Sequence, residues 1–217
     1  MGKLTVGSNP TSSANSTQWG SATMAATSLT DLLAEIRGCE VCAASLPEGP
    51  RPIVQAAPSA SIVIIGQAPG RRVHESGVPW DDPSGETLRA WMGIDRETFY
   101  DPNVVALVPM GFCYPGSAKS GDKPPRKECA PLWHEPLLAH LERRALDIVI
   151  GTYAQARYLS DRAKTLTETV AQWDRHLPDR IPLPHPSPRN TPWLRKNPWF
   201  EAETLPALRA RVAEVLG

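Results

Sequence analysis

Four short apolar runs punctuate the chain, and helical patterns fill the intervals between them. Residues 61–66 (SIVIIG), 103–108 (NVVALV) and 147–151 (DIVIG) show no alternation of polar and apolar positions, and a weaker run occupies residues 181–184. A strand with one wet face alternates, so uninterrupted apolar runs predict strands buried on both faces, as in a parallel sheet. Residues 85–92, 131–144, 152–159 and 168–175 carry helical patterns, and residues 197–216 close the chain with Leu205, Leu208, Val212 and Val215 at helical spacing. Ahead of the first strand, Leu32, Leu33 and Ile36 predict a helix over residues 29–37, with Thr30 as its N-cap and Gly38 as its stop. This alternation predicts an α/β fold: a three-layer α/β/α sandwich around a central, mainly four-stranded parallel sheet. Ligands of such sheets bind beyond the carboxyl ends of the strands.

Composition changes the picture only modestly. With 217 residues, 41% of them hydrophobic, the chain can build one proper core, and residues 29–217 read as a single domain. Residues 1–28 are rich in Ser, Thr, Asn, Gly and Ala without an apolar period. They read as a flexible extension, part of it in the manner of an expression leader ahead of Met24. Lys plus Arg and Asp plus Glu balance at 23 each, so a nucleic-acid partner has to be held by a local patch rather than a global field. No apolar run approaches the roughly 18 residues of a membrane span and no secretory leader is evident, so the expectation is a cytoplasmic monomer without a membrane partner.

The polar groups at the strand ends carry the candidate chemistry. Residues 66–70, GQAPG, form a tight turn whose backbone amides can face a ligand, although a plain βα connection has the same composition. Asn103, in the second run, offers donors and an acceptor, and also suits a strand-initiating turn. The stretch PLPHPSPRN, residues 182–190, surrounds His185, Ser187 and Arg189 with four prolines. Each proline fixes its own φ and biases its neighbour to extended geometry, so this is a stiff loop that loses little entropy when a ligand binds. Trp193, Arg195, Lys196 and Trp199 interleave bases and aromatics, as a DNA-facing patch or a solvated helix end does. Cys39 and Cys42 form a C-x2-C pair, and Cys113 and Cys129 a pair with fifteen residues between. Four thiolates suit a four-iron cluster or a structural zinc, and buried unligated cysteines are the remaining reading.

Taken in order, GQAPG, Gly77-Val78-Pro79-Trp80, Asn103-Val104-Val105 after Tyr100, and His185-Pro186-Ser187 resemble the motifs of the uracil-DNA glycosylase superfamily. The chain is most similar to the family 4 type, which carries a 4Fe-4S cluster, and the resemblance runs from about residue 29 to the C-terminus. It implies a DNA-repair hydrolase that flips uracil, or a related deaminated base, out of single- or double-stranded DNA and hydrolyses its N-glycosidic bond. His185 is then the donor to the uracil O2, Asn103 the reader of N3 and O4, and Trp80 the stacking aromatic. Gly66, Gln67 and Ala68 line the substrate, with Gln67 beside His185 and Asn103 in the catalytic set. Ser187 and Arg189 contact DNA, and Cys39, Cys42, Cys113 and Cys129 hold the cluster, with zinc as the second candidate.

The chain departs from that pattern in one telling place. Family 4 enzymes generally have Glu where Gln67 stands, and Ala68 lacks the Asp of the faster relatives. His74, Glu75 and Asp81 are candidate substitutes for the missing carboxylate. Gln67 also keeps open a catalytically silent iron-sulfur protein that binds nucleic acid. A nucleotide hydrolase is disfavoured because GQAPG lacks the Gly-Lys-Ser/Thr signature.

Overall fold

In the computed structural model, Met1, Gly2 and residues 28–217 are described. The expected flexible extension over residues 1–28 lies almost wholly outside these residues. The strands are β1 (Ile62–Ile65), β2 (Val105–Leu107), a hairpin of β3 (Ser117–Ala118) and β4 (Gly121–Asp122), β5 (Leu146–Ile150) and β6 (Arg180–Leu183). The helices are α1 (Leu29–Arg37), α2 (Arg71–Ser76), α3 (Pro83–Met92), α4 (Arg96–Tyr100), α5 (Cys129–Ala139), α6 (Gly151–Tyr158), α7 (Leu166–Ala171), α8 (Thr191–Lys196) and α9 (Leu205–Leu216).

The four apolar runs pair as one parallel sheet in the order β2-β1-β5-β6. All four side chains of β1 are fully buried, each contributing about 1.5–3 kcal/mol of transfer free energy. Their alternation sorts them to two faces. Ile62 and Ile64 join Leu88, Trp91, Phe99 and Leu208 under α3, α4 and α9, while Val63 and Ile65 join Leu32, Leu33, Ile36 and Leu137 under α1 and α5. Three layers result, as the uninterrupted runs predict. The edge of β2 is covered rather than open. Gln55 exchanges backbone hydrogen bonds with Leu107 (3.1 and 2.8 Å) and its side-chain amide donates to the Val105 carbonyl at 3.0 Å.

Local chemistry moves several boundaries. Ser28, not Thr30, caps α1, its hydroxyl accepting from the Asp31 amide at 3.2 Å, because Thr30 already lies inside the helix. The closing helical segment is not uniform. Pro206 has no N–H for the carbonyl four residues back, and a π turn over Phe200–Thr204 precedes α9. Helices α2, α4 and α8 and the β3–β4 hairpin are one- or two-turn elements without a long apolar stripe: Asp95 caps α4, left-handed Gly77 ends α2, and Asn197 closes α8 by donating to the Trp193 carbonyl at 2.8 Å. Among the described residues no helix is long and apolar enough to cross a membrane.

Candidate active site

A cavity of about 420 Å³ opens beyond the carboxyl ends of β1, β2 and β6. The GQAPG turn forms one wall, the residues around Trp80 a second, the β3–β4 hairpin a third, and the loop of His185, Ser187 and Arg189 a fourth. The turn is clamped by the chain that leaves β2: Met110 donates to the Gly66 carbonyl at 2.8 Å and Gly111 to the Gln67 carbonyl at 3.0 Å. A Cβ on Gly66 would stand 2.8 Å from Trp80 Cζ2, so glycine is what lets the indole lie on the backbone there.

Trp80 itself is held in a left-handed conformation, φ 57°, of the kind that costs on the order of 1–3 kcal/mol and needs support from its surroundings. That support is the first turn of α3. A Cβ on Gly85 would fall 1.8 Å from the Trp80 carbonyl oxygen, and the Gly85 amide donates to Asp82 Oδ1, the N-cap, at 2.9 Å. The stretch WDDPSG is therefore one unit that presents an indole to the cavity.

The proline-rich loop is pinned at both ends. Buried Gln155 donates to the Leu183 carbonyl at 3.0 Å, and Asn190 Nδ2 donates to the His185 carbonyl at 2.7 Å. Ser187 accepts from the Arg189 amide at 3.3 Å and so caps the turn that carries Arg189. The His185 ring stacks on Trp80, with centroids 5.7 Å apart and planes at 30°. Its Nδ1 is buried without a hydrogen-bond partner among the described residues. Burial pushes the imidazole below its usual range, against the opposing charges of Asp82 and Asp122, so the ring is neutral at neutral pH. A neutral ring in this place donates one N–H without burying a charge.

Gly66, Gln67, Ala68, Trp80, His185, Ser187 and Arg189 thus meet at one cavity, and Asn103 does not. Asn103 precedes β2 at the amino edge of the sheet, where Ser59 Oγ donates to its Oδ1 at 3.0 Å and its own Nδ2 donates to Asp101 at 3.1 Å. Six residues of extended chain, roughly 20 Å at about 3.3 Å each, separate it from the cavity end of the strand. The base-reading role expected of Asn103 is overturned on that ground: it begins the strand instead of ending it. Pro109 occupies the cavity end, and its carbonyl accepts from His134 Nε2 at 3.0 Å. Proline has no N–H and this carbonyl is engaged, so the β2 wall is largely apolar.

The expected carboxylate substitutes are also elsewhere. Asp81 pairs with Arg96 at 3.2 Å, and Arg51 binds the carbonyls of His74 and Glu75 at the end of α2. The carboxylates that line the cavity are Asp82 and Asp122. Asp82 had a legible signal as the residue before the helix-starting Pro83, whereas nothing in the sequence ties Asp122 to Asp82, 40 residues before it, or to His185, 63 residues after it. Of the set Trp193, Arg195, Lys196 and Trp199, the two bases are exposed and the two indoles are half-buried against the core. The indoles pack edge-on against Phe200, with centroids 5.6 and 6.3 Å away, and the Trp193 indole N–H donates to Thr167 at 2.8 Å.

The four cysteines converge on a second, apolar cleft, with Phe112, Leu132 and Trp133 in its walls. Cys39 and Cys42 follow α1, Cys113 follows β2, and Cys129 begins α5. None is in a disulfide. The Phe112 amide donates to Cys129 Sγ at 3.3 Å. Burial first, and the neighbouring thiols after it, push Cys113 up to about 11 and Cys129 up to about 12, so a cation is what would let them act as thiolates. Arg126 stands at the rim, hydrogen-bonded to Glu128 at 2.8 Å and beside Cys42. Among the described residues, no three Cys, His, Asp or Glu groups are drawn together tightly enough for a single metal ion.

The sequence matches a known family. The family model of the uracil DNA glycosylase superfamily matches residues 54–209, and the chain belongs to that superfamily. The match covers both strand-end loops that carry Gln67 and His185, and begins after Cys39 and Cys42.

Proposed function

We propose that this chain is a monofunctional DNA glycosylase that removes uracil, or a related deaminated base, from DNA by flipping the nucleotide into the 420 Å³ cavity. The observation that carries the reading is the His185 imidazole, fixed on a stiff loop and stacked on Trp80, with a buried nitrogen that has no partner among the described residues. Cleavage of the bond between base and sugar sends an electron pair onto the base, chiefly to its carbonyl oxygens. A preorganised N–H at that oxygen stabilises the departing anion, and its removal typically costs 10²–10³ in rate. Trp80 supplies a stacking face worth roughly 1–3 kcal/mol per base. With Asn103 at the far edge, the amide of Gln67 takes over the reading of the base edge, since it offers both a donor and an acceptor on the cavity wall. Ser187 and Arg189 hold the flanking backbone.

In the second cleft, Cys39, Cys42, Cys113 and Cys129 would hold a 4Fe-4S cluster. Four thiols gathered in one apolar cleft, two of them pushed towards the neutral form by burial, suit a group whose iron centres would relieve them, with zinc as the second candidate. Its service is structural: bound there, it ties α1 to the start of α5 and to the chain leaving β2, which also lines the cavity. The amide of Phe112 would help hold a Cys129 thiolate.

The test is release of uracil from labelled single-stranded DNA and from a U:G duplex, with alkali to break abasic sites. Strand breaks that depend on both uracil and protein are expected. Binding of uracil-containing DNA without any release would instead support the catalytically silent reading, which neutral Gln67 favours.

A further inference from the structure

With Gln67 neutral, the carboxylates on the cavity wall are Asp82 and Asp122, and they are not equivalent. Asp82 is committed: its Oδ1 caps α3 through the Gly85 amide at 2.9 Å, in a turn that cannot shift because the Trp80 carbonyl fills the space over Gly85. The Asp122 side chain makes no hydrogen bond or ion pair among the described residues, and its Oδ2 lies 3.5 Å from where a Cβ on Gly70, the last residue of the GQAPG turn, would stand.

The hairpin that carries it is short, yet fixed. Its base is tied by the Ser117 hydroxyl to the Tyr114 hydroxyl at 2.7 Å, with the Tyr114 ring fully buried, and by the Lys123 amide to the Gly116 carbonyl at 2.8 Å. Its turn is set by Gly121 at φ 108°, where a Cβ would meet Arg189 Nη1 at 2.8 Å. The hairpin therefore lies against the proline-rich loop, and it brings a free carboxylate across the cavity mouth from the imidazole.

We propose that Asp122 is the carboxylate that faces the sugar in this enzyme, a residue on a hairpin doing what the first strand-end turn cannot do with glutamine. The assignment rests on the glycosylase reading above. As the bond from C1′ to the base nitrogen breaks, its electron pair leaves with the base and positive charge builds on the sugar, which the Asp122 carboxylate stabilises. A water oxygen then bonds to C1′, one of its protons passes to Asp122 and on to solvent, and the base anion takes a proton in turn. The products are a free base and an abasic sugar, and no oxidant or reductant is required.

Two oligonucleotides of one sequence test this, one with a pyrrolidine abasic analogue that is cationic at neutral pH, the other with the neutral tetrahydrofuran analogue. The wild-type protein is expected to bind the cationic probe about threefold or more tightly than the neutral one, as a close opposite charge at the solvent-exposed cavity mouth favours. Asp122→Asn is expected to bring the ratio near one while binding of the neutral probe and the melting temperature hold, and Asp122→Ser, made in parallel, guards against an unfolded variant. Equal wild-type affinities, a preference that persists in both Asp122 variants, or one lost only in Asp82→Asn overturns the proposal. Uracil release measured on the same samples separates the two readings. A wild type that releases uracil but ignores the charge loses only Asp122's role, whereas one that senses the charge without releasing uracil loses only the glycosylase.

Discussion

Two sites share the chain that leaves β2 and are built on opposite rules. Pro109 lines the cavity, while Phe112 and Cys113, three and four residues later, line the cysteine cleft. The cavity gathers polar side chains that have no hydrogen-bond partner among the described residues: His185 Nδ1, the Gln67 amide and the Asp122 carboxylate. In the cysteine cleft, by contrast, thiols are crowded into apolar surroundings that push them towards the neutral form. Unpartnered groups on a rigid frame are what a reacting substrate needs, since nothing has to be broken before they act. Crowded thiols are what a resident cation needs, since only its charge relieves them.

The contrast can be broken from either side. His185→Ala should lower single-turnover base release by about a hundredfold or more, the cost of one lost donor to the leaving group, with little change in melting temperature. A large drop in stability with the activity per folded molecule preserved would show that the histidine is structural. Cys129→Ser should act the other way round, lowering iron content from about four per chain towards zero and the melting temperature by roughly 5–10 °C. Iron retained at wild-type levels would remove Cys129 from the ligand set.

The strut between the two sites gives a pH dependence. His134 stacks between Phe112 and Tyr158, accepts from the Tyr158 hydroxyl through Nδ1 and donates to the Pro109 carbonyl through Nε2 at 3.0 Å. Burial pushes its imidazole down to about 4. The unfolded chain takes up a proton near pH 6.5 while the folded one refuses it until about pH 4, so stability is complete above 6.5 and falls as the pH drops through that window. By pH 4 the loss amounts to roughly 3 kcal/mol. Urea denaturation at pH 7 and 4.5 should show a fall that is smaller in His134→Gln, and identical slopes in the two proteins would assign it to other groups. The smallest effect is expected at Asn103, where Asn103→Ala should leave base release within about twofold and cost no more than about 1 kcal/mol for its turn hydrogen bonds. A hundredfold loss of release there would return the residue to the catalytic set.

Legibility follows the range of the forces involved. Helix α1 was readable from the stripe of Leu29, Leu32, Leu33 and Ile36 and from its stop at Gly38, while its cap proved to be Ser28 and not Thr30. The parallel sheet was readable because both faces of β1, β2 and β5 are buried, and their runs therefore show no alternation of polar and apolar positions; the one charged position, Asp147, is buried with Arg144 and Arg180 as its partners. The short helices α2 and α4 carry no comparable stripe. Helix α4 is held by Asp95, which accepts from the Thr98 amide at 2.7 Å, a three-residue signal easily lost among other aspartates. The place of Asn103 at the amino end of β2 is itself legible, since it precedes its apolar run; the role at the cavity came from the resemblance and not from that position.

The order of strands and helices, the burial of both sheet faces and the stiffness of the loop around His185 were set by the sequence alone, because apolar periodicity and proline geometry act over a few residues. Which polar groups share the cavity was decided only by the tertiary structure. Asp122 meets the GQAPG turn, and Cys129 meets Cys39, through packing between segments distant along the chain. Such meetings depend on how two sheet faces and their crossovers fill space, and no short stretch of residues records that.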